Sequence, residues 1–394
     1  MIRNSIAFIK HKPSIIMGFQ LAVSSLLLGI WVAALPAIKL RLGFTDGTLG
    51  LSLLLSPIGS LTGVLLSSKL FSKLPVGRWL TIGPIFQCIL FVLLVTSMHR
   101  LVFWLVLYLI GLVGLCNGVA NNAVINLIEK RYHRRIMSSC HGMYSLGGGV
   151  SAGMAFIFYS MHIPAYVQIM IMAGAIILVL LLNRALLLSY TELIHSGSSL
   201  AAPPVTILGL AFICFVTFMG EGSIADWSAI YLKESMHSTA ALASLGYAGF
   251  SVMMAFGRLN GDTLVPKTGA RKIVITGSLV AATGFLLVVA FHFPFMAIAG
   301  FTVVGLGYSC IVPILFSAAA NVPGVSPAMG IASITSGGLI GFLFGPSIIG
   351  LVSEKANLAA GLSFVLVLSL VAAFVGYRNK FLAADTNVPY IELT

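Results

Sequence analysis

Apolar residues run along this chain in long stretches of roughly 20, the length needed to cross a lipid bilayer as a helix. Short polar turns separate them. Twelve such stretches are predicted, over 14–39, 47–69, 79–98, 101–127, 137–160, 163–187, 205–231, 239–259, 271–291, 294–319, 327–352 and 357–378. A membrane barrel would show alternating runs of about ten residues instead. The pattern predicts an all-α polytopic membrane protein.

Composition strengthens that reading. Of 394 residues, 59% are hydrophobic and 8% charged, against about 25% charged in an ordinary globular domain. The mean hydropathy is +1.06. A soluble enzyme, a disordered chain and a nucleic-acid-binding module are excluded at this step. The net charge of +12 would suggest nucleic acid in a soluble protein, but here its placement reports topology. With the N-terminus inside, 17 of the 22 Lys and Arg fall on the cytoplasmic side and 5 on the other. That bias orients the chain with both termini in the cytoplasm, in a bacterial-type inner membrane. The basic start, MIRNSIAFIKHKP, lacks a small-residue cleavage site and reads as the lead-in to a retained first helix. Cys88, Cys116, Cys140, Cys214 and Cys310 all fall inside predicted helices without paired spacing. They read as small buried residues rather than a disulfide or zinc framework.

An internal repeat divides the chain. The longest cytoplasmic loop, 188–204, separates six helices (1–187) from six (205–378), with a tail at 379–394. A shift of 194 residues brings the basic turn Ser68–Arg78 onto Asp262–Lys272, Gly63 onto Gly257 and Gly147 onto Gly341. A common offset with helix order preserved predicts two pseudo-symmetric six-helix bundles. Glycines four residues apart share a helix face and let backbones approach. The pairs Gly59/Gly63, Gly149/Gly153, Gly257/Gly261 and Gly341/Gly345 are therefore expected where the halves meet, although Gly114/Gly118 has the same spacing.

The turn after helix 8, Gly257-Arg258-Leu259-Asn260-Gly261-Asp262 through Lys267, Gly269, Arg271 and Lys272, resembles the signature loop of the major facilitator superfamily. The first-half copy has Ser68, Ser72 and Pro75 at the Gly, Asp and Gly positions but keeps Lys73 and Arg78. The resemblance implies that these loops latch the halves in one state of the transport cycle, through Lys73, Arg78, Arg258 and Asp262. Glu129 with its basic turn, Ser139-Cys140-His141-Gly142-Met143-Tyr144-Ser145-Leu146-Gly147 and Gly220-Glu221-Gly222-Ser223-Ile224-Ala225-Asp226-Trp227-Ser228 resemble the MosC-like branch. That branch includes a protein assigned to rhizopine transport. Ala34 stands where the branch usually has Arg, and Gly118 where an acid is common in helix 4.

Ionisable groups inside a membrane are costly and mark function by default. Glu221, flanked by Gly220 and Gly222, has no Lys or Arg between Arg184 and Lys233. An apolar medium disfavours a bare carboxylate, which suits a proton-coupling group; a protonated Glu bonding a neighbouring helix is the structural alternative. Asp226 and His141, whose imidazole titrates near neutral pH, are the other proton-coupling candidates. His141 reads equally as a neutral bridge between helices. Asn117 and Asn121 lie one turn apart on one face, with Asn122 adjacent. With Gln20 and Ser24 in helix 1, they would suit the hydroxyls of a polar solute if they face a cavity, or join helices if they do not. Tyr144, Trp227 and Tyr308 are further substrate-binding candidates. Trp227 also reads as an interfacial anchor. In the superfamily the cavity is lined mainly by helices 1, 4, 7 and 10.

The eight histidines show no metal-binding spacing, and neither a nucleotide-binding Gly-Lys loop nor a Gly-x-Ser-x-Gly elbow occurs. No metal or cofactor and no enzymatic reaction are expected. The sequence thus predicts a proton-coupled secondary transporter. It would be a monomer in membrane lipid, carrying a small polar organic solute that the resemblance implies to be sugar- or cyclitol-like. Drug or metabolite efflux is the alternative within transport; a membrane sensor or scaffold on the same fold is the alternative from another class. The helix 5 run Gly147-Gly148-Gly149-Val150-Ser151 lacks the Gly-Pro of the antiporter signature.

Overall fold

The computed structural model describes residues 8, 10–132, 136–193 and 204–382, without the side chains of Ser138, Asp262, Thr263 and Ala328. The middle of the expected central loop and the chain beyond residue 382 lie outside the described residues. Within them the protein is helical, with no strand. We number the long helices α1 (Lys12–Leu42), α2 (Asp46–Leu53 and Leu55–Phe71), α3 (Val76–Thr96), α4 (Arg100–Tyr132), α5 (Met137–Ser160) and α6 (Ala165–Leu182). The second half supplies α7 (Leu208–Ile230), α8 (Ala240–Thr268), α9 (Ala270–Ala290), α10 (Pro294–Tyr308 and Ile311–Ala320), α11 (Pro327–Lys355) and α12 (Leu358–Arg378). Eleven of these are long and apolar enough to cross a membrane. The twelfth, α5, has 24 residues, about 36 Å at 1.5 Å per residue, and is diluted by serine and glycine.

The helix boundaries follow local chemistry. α1 ends on Gly43 at φ +63°, whose N–H returns to the carbonyl of Leu40, the left-handed stop that glycine adopts without strain. Thr45 and Thr48 cap each other at the start of α2. Two helices predicted as continuous are broken. Pro57 and Pro313 have no N–H to return to the carbonyls of Leu53 and Ser309, so α2 breaks at Leu54 and α10 at Ser309–Cys310. α8 continues nine residues past its predicted end at 259, which carries Arg258 inside the helix. A short π turn, Tyr231–Ser235, extends α7.

Small residues set the packing within each half. A Cβ on Gly111 would fall 1.8 Å from the carbonyl oxygen of Ser56, and one on Gly305 2.2 Å from that of Phe250. Both partners of the first contact map onto the second by the same 194-residue shift, so α2 on α4 is repeated as α8 on α10. Gly147 against Ser25 of α1 likewise maps onto Gly341 against Met219 of α7. This corrects the expectation that the four glycine pairs mark the contact between halves. Gly59 and Gly63 meet α4, Gly257 and Gly261 meet α10, and Gly341 and Gly345 meet α7. Of the eight, Gly149 alone touches the other half, where a Cβ would lie 2.7 Å from Val252.

One end of the molecule is sealed across the halves. Lys39 sits between Asp46 and Glu234, 2.5 Å from each. Glu354 accepts from the N–H of Gly47 at 3.0 Å, Ser347 donates to the carbonyl of Gly50 at 2.8 Å, and Ser353 bonds Asp46. A Cβ on Gly50 would stand 2.9 Å from the carbonyl oxygen of Pro346, so α2 and α11 touch through their backbones. At the opposite end no hydrogen bond or ion pair joins the halves among the described residues.

Candidate functional site

α7 and α8 bring the central ion pair together. Glu221 lies 13 residues into α7, and Arg258 lies 18 residues along α8, about 27 Å from the Ala240 end. Arg258 Nη2 meets Glu221 Oε1 at 3.2 Å, with side chains 24% and 16% exposed. Sequence reasoning offered no counter-ion for Glu221 because the nearest one is 37 residues away on the next helix. Arg258 Nη1 also donates to Ser145 Oγ of α5 at 3.0 Å. A guanidinium has five donors in a fixed fork and stays charged, so it can serve both acceptors at once.

Around this pair stand groups from several helices. Tyr144 is within electrostatic reach of both Glu221 and Arg258. His141, on the exposed face of α5, is within reach of Arg258. Tyr247 of α8 is within electrostatic reach of Tyr144, Glu221 and Asp226. Asp226, partly buried, lies five residues beyond Glu221 on α7.

In the first half an open-sided cavity of about 270 Å³ is bordered by Ser24, Gln87, Gly118, Asn121 and Tyr144 among other residues. Gln87 of α3 is its hub. Its Oε1 accepts from Asn117 Nδ2 at 2.7 Å and from Ser24 Oγ at 3.1 Å. Gln20 donates to the carbonyl of Leu80 at 3.0 Å. The carbonyl oxygens of Gln20, Asn117 and Asn121 are buried and receive no hydrogen bond from the protein. Gln87 was missed in the sequence, although it is the single amide in α3. A Cβ on Gly118 would meet nothing within 4 Å, whereas Ala34 is fully buried. Gly118 therefore opens on the cavity, and Ala34 is packed shut.

The other sequence candidates lie elsewhere. Asn122 is exposed, as is Asn126 one turn on. Trp227 is buried and donates to the carbonyl of Pro346 at 3.2 Å, fastening α7 to α11. Tyr308 packs on Gly220 and shares a 2.6 Å hydrogen bond with Ser369 of α12. Both aromatics fill the core of the second half and do not border the cavity. Lys73 and Arg78 are exposed and make no ion pair among the described residues. Their turn is instead tied to the chain after α6, through Val76 N–H to Glu192 at 3.1 Å and Gly77 N–H to Tyr190 at 2.9 Å. The side chain of Asp262 lies outside the description. All five cysteines are buried, and none forms a disulfide. No cluster of His, Cys, Asp and Glu fit for a metal occurs among the described residues.

This geometry has known counterparts. The model of the Major Facilitator Superfamily matches residues 15–325. The chain belongs to the major facilitator superfamily. It is 33% identical to an uncharacterized MFS-type transporter of Yersinia pestis over 92% of this chain and 97% of that one. It is 30% identical to membrane protein MosC of Rhizobium meliloti over 91% of this chain and 88% of that one. The resemblance to MosC read from the α5 and α7 strings is thereby supported across nearly the whole length. A crystal structure of a mutant nucleoside transporter NupG shares the fold, with a TM-score of 0.69 and 14% identity over 92% of this chain and all of that one. The protein is a superfamily transporter and not an enzyme.

Proposed function

We propose that this superfamily member is a secondary transporter that moves a small polar organic solute by alternating access, driven by a proton taken up at Glu221. The observation that carries this reading is the Glu221–Arg258 pair, largely shielded from water, with Tyr144 both within electrostatic reach of it and on the border of an amide-lined cavity. Burial favours the protonated carboxyl and the neighbouring guanidinium favours the carboxylate, so two opposing influences meet at Glu221. His141 and Asp226 flank the route to and from it.

The solute is sugar- or cyclitol-like. The amide oxygen of Asn121, which borders the cavity and receives no hydrogen bond from the protein, calls for a ligand that donates hydrogen bonds, as hydroxyl groups do. The protein is a monomer of a bacterial inner membrane with both termini in the cytoplasm. On that orientation the sealed end of Lys39, Asp46 and Glu234 faces outward, and the described state is open to the cytoplasm. Solute and proton bias the two open states because each binds them unequally.

The test is uptake of labelled sugars and cyclitols into proteoliposomes. Glu221→Gln is expected to keep solute exchange and lose accumulation driven by a proton gradient. Full gradient-driven accumulation in that variant would remove Glu221 from coupling.

A further inference from the structure

We propose that the lipid-facing side of the first half holds a site for an anionic phospholipid of the cytoplasmic leaflet, with the phosphate on Lys69 and an acyl chain in the groove that α2, α3 and α4 border. The inference stands apart from proton coupling at Glu221 and from the identity of the solute.

The groove has a volume of about 430 Å³. It is bordered by Leu66, Lys69 and Leu70 of α2, Trp79 of α3, and Leu112 and Cys116 of α4. Spacings of three and four residues put each helix's contribution on one face. On α4 that face is not the one that borders the solute cavity. At 3.6 residues per turn, Leu112 and Cys116 lie roughly opposite Gly114 and Gly118, which do border it. Leu101 and Leu105 continue the stripe of Leu112 and are 75% and 60% exposed. Large apolar side chains left bare along one stripe mark a surface that meets membrane. Apart from Lys69 the groove is lined by apolar side chains and one thiol, and a cavity of that kind stays dry and takes hydrocarbon.

Charge decides the headgroup. Lys69 lies in the last turn of α2 and Trp79 in the first turn of α3, so the groove has its cation and its indole at one level, where tryptophan commonly marks the membrane interface. No Asp or Glu occurs between Asp46 and Glu129. Lys69, Lys73 and Arg78 therefore share the end of α2 and the turn after it with no acid in their own segment. All three are exposed, and none makes an ion pair among the described residues. Glu192 reaches this turn through its backbone carbonyl, bonded to Val76. Such a cluster at the cytoplasmic surface attracts anionic lipid, whereas a zwitterionic headgroup brings a cation of its own. Free phosphate would answer the charge and leave the groove unfilled. The repeat does not duplicate the set. A shift of 194 takes Lys69 to Thr263, Trp79 to Ile273 and Ser68 to Asp262, so the second copy loses a cation and gains an acid.

The experiment reads tryptophan fluorescence of the purified full chain in vesicles of phosphatidylcholine. Either phosphatidylglycerol or phosphatidylcholine carrying bromine on its acyl chains is titrated in as quencher. The signal of Trp79 is the difference between wild type and Trp79→Phe, which leaves Trp31, Trp104 and Trp227 in place. Its quenching is expected to half-saturate at about fivefold less brominated phosphatidylglycerol than phosphatidylcholine, the worth of one cation at an anionic surface. Lys69→Gln is expected to lose most of that preference and Lys69→Arg to keep it; Lys69 is exposed, so neither change should disturb folding. Excess inorganic phosphate is expected to leave the quenching in place. Equal quenching by the two lipids, or a preference that Lys69→Gln leaves unchanged, overturns the headgroup assignment. Quenching that does not depend on Trp79 overturns the groove as the seat of the chain. Relief of quenching by inorganic phosphate alone overturns the lipid in favour of a simple anion site.

Discussion

Lys39 of the first half and Glu234 of the second lie 2.5 Å apart, and the same ammonium lies 2.5 Å from Asp46. Lys39 is 8% exposed, so its charge is held by these two carboxylates more than by water. Removing it leaves two acids facing each other at the sealed end. The cost is set at about 1–3 kcal/mol, below that of a fully buried pair, because the Glu234 side chain is 42% exposed. Lys39→Met is expected to lower the thermal midpoint and to raise hydrogen exchange at the start of α2. Asp46→Asn in the same chain should recover part of the loss. Unchanged exchange in Lys39→Met would show that backbone contact alone, Gly50 on α11, holds this end shut.

The repeat makes a paired prediction. Gly111→Val and Gly305→Val each push a side chain into a carbonyl oxygen at equivalent positions of the two halves. Each is expected to destabilise by about 1–3 kcal/mol or to prevent folding, as overpacking does. Gly118→Val sits on the same helix as Gly111 but meets open space. It is expected to fold like the wild type and to impair transport by filling the cavity. Thermal unfolding of the three variants, read beside uptake, checks the contrast; equal melting of Gly118→Val and Gly111→Val would contradict it.

Much of this architecture was legible because a membrane constrains sequence so strongly. Twelve apolar runs become twelve long helices, and the offset of 194 survives as equivalent contacts. Spacing, however, names a face and not a neighbour. Gly59 and Gly63 advertise a close approach, yet nothing in the sequence says that α4 and not the other half makes it. The site divides in the same way. Glu221 and the α4 amides stand out because polarity is rare in their helices. The partners Arg258 and Gln87 come from other helices, so only the fold reveals them. Trp227 and Tyr308 are buried here, which their local sequence does not announce: an aromatic lining a cavity and one filling a core read alike.

Gln87 gathers Ser24 and Asn117 on one oxygen. Gln87→Leu removes that acceptor and leaves both donors to the cavity. Solute recognition should weaken by about tenfold, the worth of one lost hydrogen bond to a polar group in a buried site, while gradient-driven coupling through Glu221 persists. The expected signature is a raised KM with little change in kcat in exchange assays. A normal KM with a collapsed kcat would place Gln87 in the conformational machinery instead.

Glu129, near the end of α4, reaches the start of α5 across the basic turn. Its Oε1 accepts from the backbone N–H groups of Ile136 and Met137 at 2.6 and 2.9 Å. The first N–H groups of a helix have no partner within it and carry its positive dipole end. A carboxylate there acts as a remote N-cap, which fixes where α5 begins and so where Ser145 and Gly149 fall along it. Glu129→Ala is expected to cost about 1 kcal/mol, in the range of a lost cap, and to raise hydrogen exchange in the first turn of α5. Glu129→Gln keeps an acceptor oxygen and loses only the charge, so it should cost less. If the two variants melt alike at low salt and exchange alike in α5, the cap is not what orders this turn, and the register of α5 is set by its packing on α1 and α8.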